Sequence, residues 1–195
     1  MKIRLLIVVV LFVGGSCALK SEPLNFYPLN EDSLSSEDIL KFSKAFEFIK
    51  NYPNLNETFK MYYWDSSYIF NVSISNEILD SKPIFFSEEI VEYEYGELNS
   101  EEKARLKDSI WHSQGRKLNI VKCDSSLFEF NRPNDGTDLL VFFTIPNKNK
   151  LLVSIFPYMG FYDYKKAALY GQYSLNFLFY FEGDEIVKVF IKHLT

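Results

Sequence analysis

The chain has 195 residues, a formal net charge of −5, 47% hydrophobic and 24% charged residues. This length fits one domain with a sizeable core, and the composition excludes an intrinsically disordered chain. Nucleic acid is not expected as a partner because acidic residues outnumber basic ones, 26 to 21. The aromatic share of 17%, with 19 Phe and 13 Tyr, favours a β-rich body, since aromatic residues are enriched in strands and at binding surfaces.

The first eighteen residues have the pattern of an export signal. Lys2 and Arg4 form a basic start, residues 5–13 are an unbroken apolar run, and residues 14–16 are small. Such a short apolar run cannot span about 30 Å of hydrocarbon as a helix. Residues 1–18 are therefore predicted to be a signal peptide that takes no part in the fold.

The stretch "GGSC", which ends at Cys17, leaves two fates open for this cysteine. It resembles the lipobox of bacterial lipoproteins, and that resemblance implies that Cys17 becomes the new N-terminus and carries acyl chains that bind the membrane. Ser16 and Ala18 also satisfy the small-x-small rule for ordinary cleavage after Ala18, which would discard Cys17 and release a secreted protein. Residues 19–35 are polar and are predicted to be a tether in front of a single domain at 36–195.

The other cysteine, Cys123, has no partner for a disulfide if Cys17 is removed or acylated. It is predicted to be a small, packed strand residue. A nucleophilic role would need a base, and only His112 and His193 could supply an imidazole.

The first predicted element is a helix in "SSEDILKFSKAFEFIKNYP". Ser35 and Asp38 have the spacing of a capping box, and Pro53 prevents continuation. One apolar face is formed by residues at three- and four-residue intervals, namely Ile39, Phe42, Phe46 and Ile49. This face is expected to pack on a sheet.

Two strands are predicted next. "SYIFNVSI" has a period of two, in which Tyr68, Phe70, Val72 and Ile74 alternate with Ile69, Asn71 and Ser73. In "IFFSEEIVEYEY", which follows Pro83, Val91, Tyr93 and Tyr95 alternate with glutamates, which indicates a second strand with one solvated face.

A second helix is predicted in "NSEEKARLKDSIWHSQG". Asn99 or Ser100 can cap it, and Leu98, Leu106 and Ile110 mark its apolar face. His112 lies in the last turn, where a partly protonated imidazole complements the helix dipole.

From Lys117 onward, short apolar runs separated by turn residues predict antiparallel strands. They are "KLNIVKC", "SLFEF", "DLLVFFTI", "KLLVSIFPY", "YSLNFLFYF" and "EIVKVFIKHL". The last four are expected to form a meander covered on both faces. The predicted fold is α+β, with two main helices packed on a curved, mostly antiparallel sheet. In element order it resembles the NTF2-like and cystatin-like folds.

The tail also carries a resemblance. "FFTIPNKNKLLVSIFPY" followed by "FLFYFEGDEIVKVF" is similar to the C-terminal region of small, uncharacterised bacterial envelope proteins. The resemblance implies a place in the cell envelope and no particular activity.

One stretch of the predicted meander is too long for a tight hairpin and unusually aromatic: "YMGFYDYKKAALYGQY", residues 158–173. The candidate binding residues are Tyr158, Phe161, Tyr162, Asp163, Tyr164 and Tyr170. Their rings could stack on a sugar, a peptide or a partner protein. Alternatively, the loop folds back over the open end of the sheet.

The sequence has no pattern typical of a catalytic, metal or cofactor site, so no such residue is predicted. The expected function is a non-enzymatic binding module of the cell envelope, exported and either lipid-anchored or secreted, whose partner is an envelope protein or a carbohydrate. The alternative is an NTF2-like small-molecule-binding protein or hydrolytic enzyme with its site inside the curved sheet. An assembly or chaperone-like subunit is a third possibility.

Overall fold

The computed structural model describes residues 34–60, 69–75, 77–80, 83–112, 119–122, 136–158 and 173–194, with residues 80 and 119–122 described by backbone alone. The helices are α1 Ser36–Lys50, α2 Leu55–Phe59, α3 Ser87–Glu94 and α4 Ser100–His112, with a 3₁₀ turn at Ile84–Phe86 before α3. The strands are β1 Val72–Ile74, β2 Glu77–Asp80, β3 Asn119–Lys122, β4 Leu139–Phe143, β5 Lys150–Pro157, β6 Ser174–Glu182 and β7 Glu185–Leu194.

The main sheet has five strands in the order β1-β4-β5-β6-β7. β4 to β7 form the predicted antiparallel meander, while β1 runs parallel to β4 and makes the sheet mixed. β2 and β3 pair separately as a two-stranded antiparallel sheet. The α+β class and the four-strand meander are therefore confirmed.

Helix α1 begins at the predicted capping box. Ser35 Oγ accepts a hydrogen bond of 3.1 Å from the Asp38 backbone N–H, and the Ser35 N–H donates to Asp38 Oδ2 at 2.9 Å. These two bonds satisfy backbone groups that a helix end leaves without partners. The prediction of this helix is confirmed.

The apolar face of α1 packs on one face of the sheet, called here the first face. Phe42, Ala45, Phe46 and Ile49 are buried there against strand residues that include Val153 and Phe177. Each large apolar side chain that is fully buried contributes about 1.5–3 kcal/mol. The first face is the main core of the protein.

The opposite, second face of the sheet is covered by the 3₁₀ turn and α3. Phe86 and Ile90 pack there on Leu152, Leu178 and Tyr180, all of them buried. β4, β5 and β6 are consequently buried almost throughout. This confirms that the apolar runs of β4, β5 and β6 are strands covered on both faces. The prediction is wrong for β7, the edge strand, whose residues are exposed or half-buried.

The predicted strand in "IFFSEEIVEYEY" is wrong, because these residues form the 3₁₀ turn, α3 and Tyr95, the residue that caps the end of α3. Ile90 and Val91 are buried, whereas Tyr93 and Tyr95 are 48% and 41% exposed. The apolar residues with alternate spacing therefore do not share a buried face. A helix here places Phe86 and Ile90 one turn apart on the side that meets the sheet.

The first predicted strand is shorter than expected. Within the described part of "SYIFNVSI", residues 69–74, the strand is Val72–Ile74, and Ile69 is 81% exposed. β2 was not predicted, whereas "KLNIVKC" does contain β3.

Several predictions lie outside the described residues. They concern "SLFEF" at 126–130, the signal peptide with Cys17, most of the tether and Cys123.

Candidate binding surface

One end of the sheet carries both flanks of the aromatic segment 158–173, and it is called here the loop end. β5 finishes at Pro157, opposite Leu139 at the start of β4. β6 begins at Ser174, opposite Leu194 at the finish of β7. The two ends of the segment are therefore held by neighbouring, buried strands.

The flanking tyrosines differ in their surroundings. Tyr158 is half-buried, and its backbone N–H donates to the Asp138 carbonyl at 2.6 Å. Tyr173 is 44% exposed and has a φ of 53°. A left-handed conformation is unusual for a bulky residue and costs on the order of 1–3 kcal/mol, which the surrounding fold must offset.

Of the candidate binding residues, the structure therefore places Tyr158 at the loop end. The other five lie outside the described residues: Phe161, Tyr162, Asp163, Tyr164 and Tyr170. Their role in binding stays a prediction.

Asp138 connects β1, β4 and β5 at the loop end. Its Oδ2 accepts from the Asn71 backbone N–H at 2.8 Å, and its own backbone N–H donates to the Asn71 carbonyl at 2.9 Å. Asn71 Nδ2 also donates to the Gly136 carbonyl at 2.9 Å. Sequence reasoning missed this function of Asp138, although an Asp just before an apolar strand is a common signal for side-chain capping of backbone groups.

A buried polar row crosses the second face close to the loop end. Ser154 Oγ donates to Asn176 Oδ1 at 2.6 Å, and Asn176 Nδ2 donates to Ser174 Oγ at 2.8 Å. These side chains are at most 6% exposed. Hydrogen bonds of this kind offset the cost of removing an amide from water. Sequence reasoning misses the row, because "YSLNFLFYF" has the pattern of an apolar run.

The two histidines lie on different elements. His112 is in the last turn of α4, as predicted, with Nδ1 3.0 Å from the Asp108 carbonyl oxygen. His193 lies on β7 opposite Leu175, with its ring centroid 6.5 Å from that of Phe59. The Cys123 that either would have to activate lies outside the described residues.

At the opposite end of the second face, a tyrosine, a carboxylate and a lysine meet. Tyr180 OH donates to Glu94 Oε1 at 2.5 Å, and Lys150 Nζ lies 2.8 Å from the same oxygen. Burial, together with the hydrogen bond to Glu94, raises the pKa of the Tyr180 phenol far above its usual range. Tyr180 is therefore a permanent donor at neutral pH, and this cluster links the sheet to α3.

Two negative findings concern only the described part of the chain. It contains no group of three or more His, Cys, Asp or Glu side chains placed to hold a metal ion. None of its helices has the length and apolarity needed to cross a membrane.

Comparisons with known proteins give no relative for this chain. No protein-family description matches it, and no curated protein or solved structure has significant similarity to it.

Proposed function

We propose that this protein is an exported, non-enzymatic binding module of the cell envelope, which presents residues 158–173 to a partner from the loop end of its sheet. The observation that carries the proposal is the anchoring of both flanks of this segment on buried strands, beside an exposed, left-handed Tyr173. A rigid scaffold that holds a variable loop is a common way to build a binding site, since the scaffold limits the entropy lost on binding.

The partner that this segment fits best is a carbohydrate or an envelope protein. Tyr162 and Tyr164 alternate with Asp163 in the segment, and tyrosine rings stack on sugars and peptides while their hydroxyls stay hydrated. The net charge of −5 disfavours nucleic acid.

The test is capture of envelope components by the mature protein and by a Tyr162→Ala/Tyr164→Ala variant. We expect the double variant to lose capture of envelope proteins or glycans while its thermal midpoint stays within about 2 °C of the parent. Tyr95→Ala is the matched control, because Tyr95 is an exposed tyrosine outside the segment, and it should keep full capture. A large fall in the midpoint of the double variant would instead place these rings in the core.

Cys17 is proposed as the attachment point of a lipid anchor. The first described helix starts at Ser36, immediately after the proposed tether at 19–35, so that the domain could stand clear of a membrane surface. One acyl chain gives only reversible membrane binding, and stable anchoring takes a second. Cleavage after Ala18, which releases a secreted form, is the alternative outcome.

The alternative function is that of an NTF2-like small-molecule-binding protein or hydrolytic enzyme with its site inside the curved sheet. A long helix laid across an antiparallel meander supports this relationship, whereas the parallel β1 does not. On the first face the side chains of α1 fill the space directly. The feature that favours a pocket is the polar row of Ser154, Asn176 and Ser174 on the second face. An experimental structure with a ligand beside Asn176 would support this alternative over the first proposal.

A further inference from the structure

Helix α4 differs from α1 and α3 in how it contacts the rest of the protein. The structure describes α4 over its whole length, and none of its side chains is fully buried. Ile110 is half-buried beside Phe86 and its neighbours. Trp111 contacts Phe85 edge to face, with centroids 6.1 Å apart, but stays 51% exposed. The apolar contribution to the docking of α4 is therefore small.

Ion pairs to α3 are a second kind of contact made by α4. Lys103 Nζ lies 2.7 Å from Glu92 Oε2, and Lys107 Nζ lies 3.3 Å from Glu92 Oε1. Lys107 also lies 3.3 Å from Glu88 Oε1. Glu92 thus connects both lysines of α4 to α3.

Helix α3, in contrast, is fixed to the sheet by apolar burial as well as by charge. Phe86 just before it, and Ile90 and Val91 within it, are at most 4% exposed. Its other two glutamates face the sheet, where Glu89 pairs with Lys192 at 2.9 Å and Glu94 pairs with Lys150 at 2.8 Å. If the ion pairs were lost, α3 would still be held on the sheet by its buried apolar side chains. Helix α4 has no fully buried side chain to hold it in the same way.

We propose that α4 is a detachable cap, latched to α3 through Glu92, which opens in acid or at high salt while α3 and the main sheet stay folded. Sub-global opening of this kind occurs where few apolar contacts and many exposed hydrogen bonds hold an element. Salt weakens the latch because exposed charges are screened over about 10 Å at 0.1 M ionic strength. Opening would expose Ile110 and Phe85, which would form a new apolar surface.

The direction of the pH effect follows from the groups that face Glu92. Hydrogen bonds from Lys103 and Lys107 hold its pKa below the ordinary value of 4.5. The latch is therefore complete above pH 4.5 and is lost as the pH falls through the lowered pKa. For Lys107, burial lowers the pKa, but the bonds to Glu92 and Glu88 outweigh it, so the pKa lies above 10.5 and the lysine stays charged throughout.

The test is hydrogen exchange of the mature protein followed by mass spectrometry, with α4 (100–112) compared with β6 (174–182). For Glu92→Gln we expect exchange of α4 to rise about threefold to tenfold at pH 7, the effect of losing one or two ion pairs, with β6 unchanged. Glu101→Gln is the matched control, because among the described residues Glu101 pairs within α4, with Arg105. High salt should accelerate the hydrogen exchange of α4 in the parent and should have less effect on it in the Glu92→Gln variant.

Three results would overturn the proposal. Equal exchange of α4 in the Glu92→Gln and Glu101→Gln variants would show that Glu92 is no latch. An increase in the hydrogen exchange of β6 in parallel with that of α4 would show that the whole domain opens as one unit. Failure of the reversed pair, Glu92→Lys with Lys103→Glu, to recover part of the protection lost in Glu92→Lys alone would exclude a charge-based latch. None of these results depends on the partner of the segment 158–173.

Discussion

The hydroxyl of Tyr180, on β6, lies 2.5 Å from Glu94 Oε1, on α3. The same ring packs against Tyr93, with centroids 4.7 Å apart. One buried side chain thus connects the central meander to the covering helix through both a hydrogen bond and a ring contact. The strength of this connection can be measured.

Replacing Tyr180 by Phe should destabilise the protein by about 1.5–3 kcal/mol, because a hydrogen bond to a charged acceptor is lost while the ring contacts remain. The measurement is urea unfolding of the variant and the parent. Tyr95→Phe is the control, since Tyr95 is 41% exposed, and it should change stability by less than about 0.5 kcal/mol. An unchanged midpoint for Tyr180→Phe would mean that the hydrogen bond from Tyr180 adds no stability. Glu94 would then stabilise the protein through its ion pair with Lys150 alone.

The central and edge strands of the meander predict a sharp contrast between two isoleucines of the first face. Ile155 is fully buried on β5, whereas Ile191 on β7 is 37% exposed. Ile155→Ala should cost about 2–5 kcal/mol through lost burial and the cavity left behind, and Ile191→Ala should cost less than half as much. The same denaturation experiment compares them, and equal costs would contradict the described packing of the first face.

The capping box of α1 gives a local prediction. Ser35→Ala removes the acceptor for the Asp38 N–H and should cost about 0.5–2 kcal/mol. Ser36→Ala alters the next residue without touching the cap and should be close to neutral. Thermal unfolding of both variants checks this, and a larger effect at Ser36 would place the helix start elsewhere.

An ion pair between α1 and the β6–β7 turn predicts a pH-dependent difference. Lys44 Nζ lies 2.9 Å from Asp184 Oδ2, and this hydrogen bond holds the pKa of Asp184 below 3.8. Because the folded pKa is lowered, the stabilisation is present above pH 3.8 and is lost as the pH falls through the folded value. The stability gap between parent and Asp184→Asn, measured by urea unfolding, should be widest near neutral pH and should close in acid. A gap that is constant from pH 7 to pH 3 would contradict this pairing.

The parts of the fold that could be predicted from sequence are those in which local and tertiary signals agree. In α1, the cap at Ser35, the spacing of Phe42, Phe46 and Ile49, and the stop at Pro53 all favour the same helix. The meander was predictable for a similar reason, since long apolar runs alternate with turn residues, and Gly183 has the positive φ, 60°, that its turn requires.

Helix α3 could not be predicted because its sequence supports two periods. Val91, Tyr93 and Tyr95 alternate as in a strand, and only tertiary packing of Phe86 and Ile90 on the sheet decides for the helix. The contacts of the loop end are equally invisible in sequence. Asp138 and Asn71 lie 67 residues apart, so their pairing depends on the parallel placement of β1 beside β4.

The intact mass of the mature protein shows whether Cys17 carries a lipid, once the full precursor has been expressed in a bacterium and membrane material separated from soluble material. We expect membrane-bound protein whose mass starts at Cys17 and includes acyl chains. Soluble protein starting at Leu19 would contradict the anchor and leave a secreted module. A mass that still includes residues 1–16 without processing would contradict export altogether, and with it a binding function in the cell envelope.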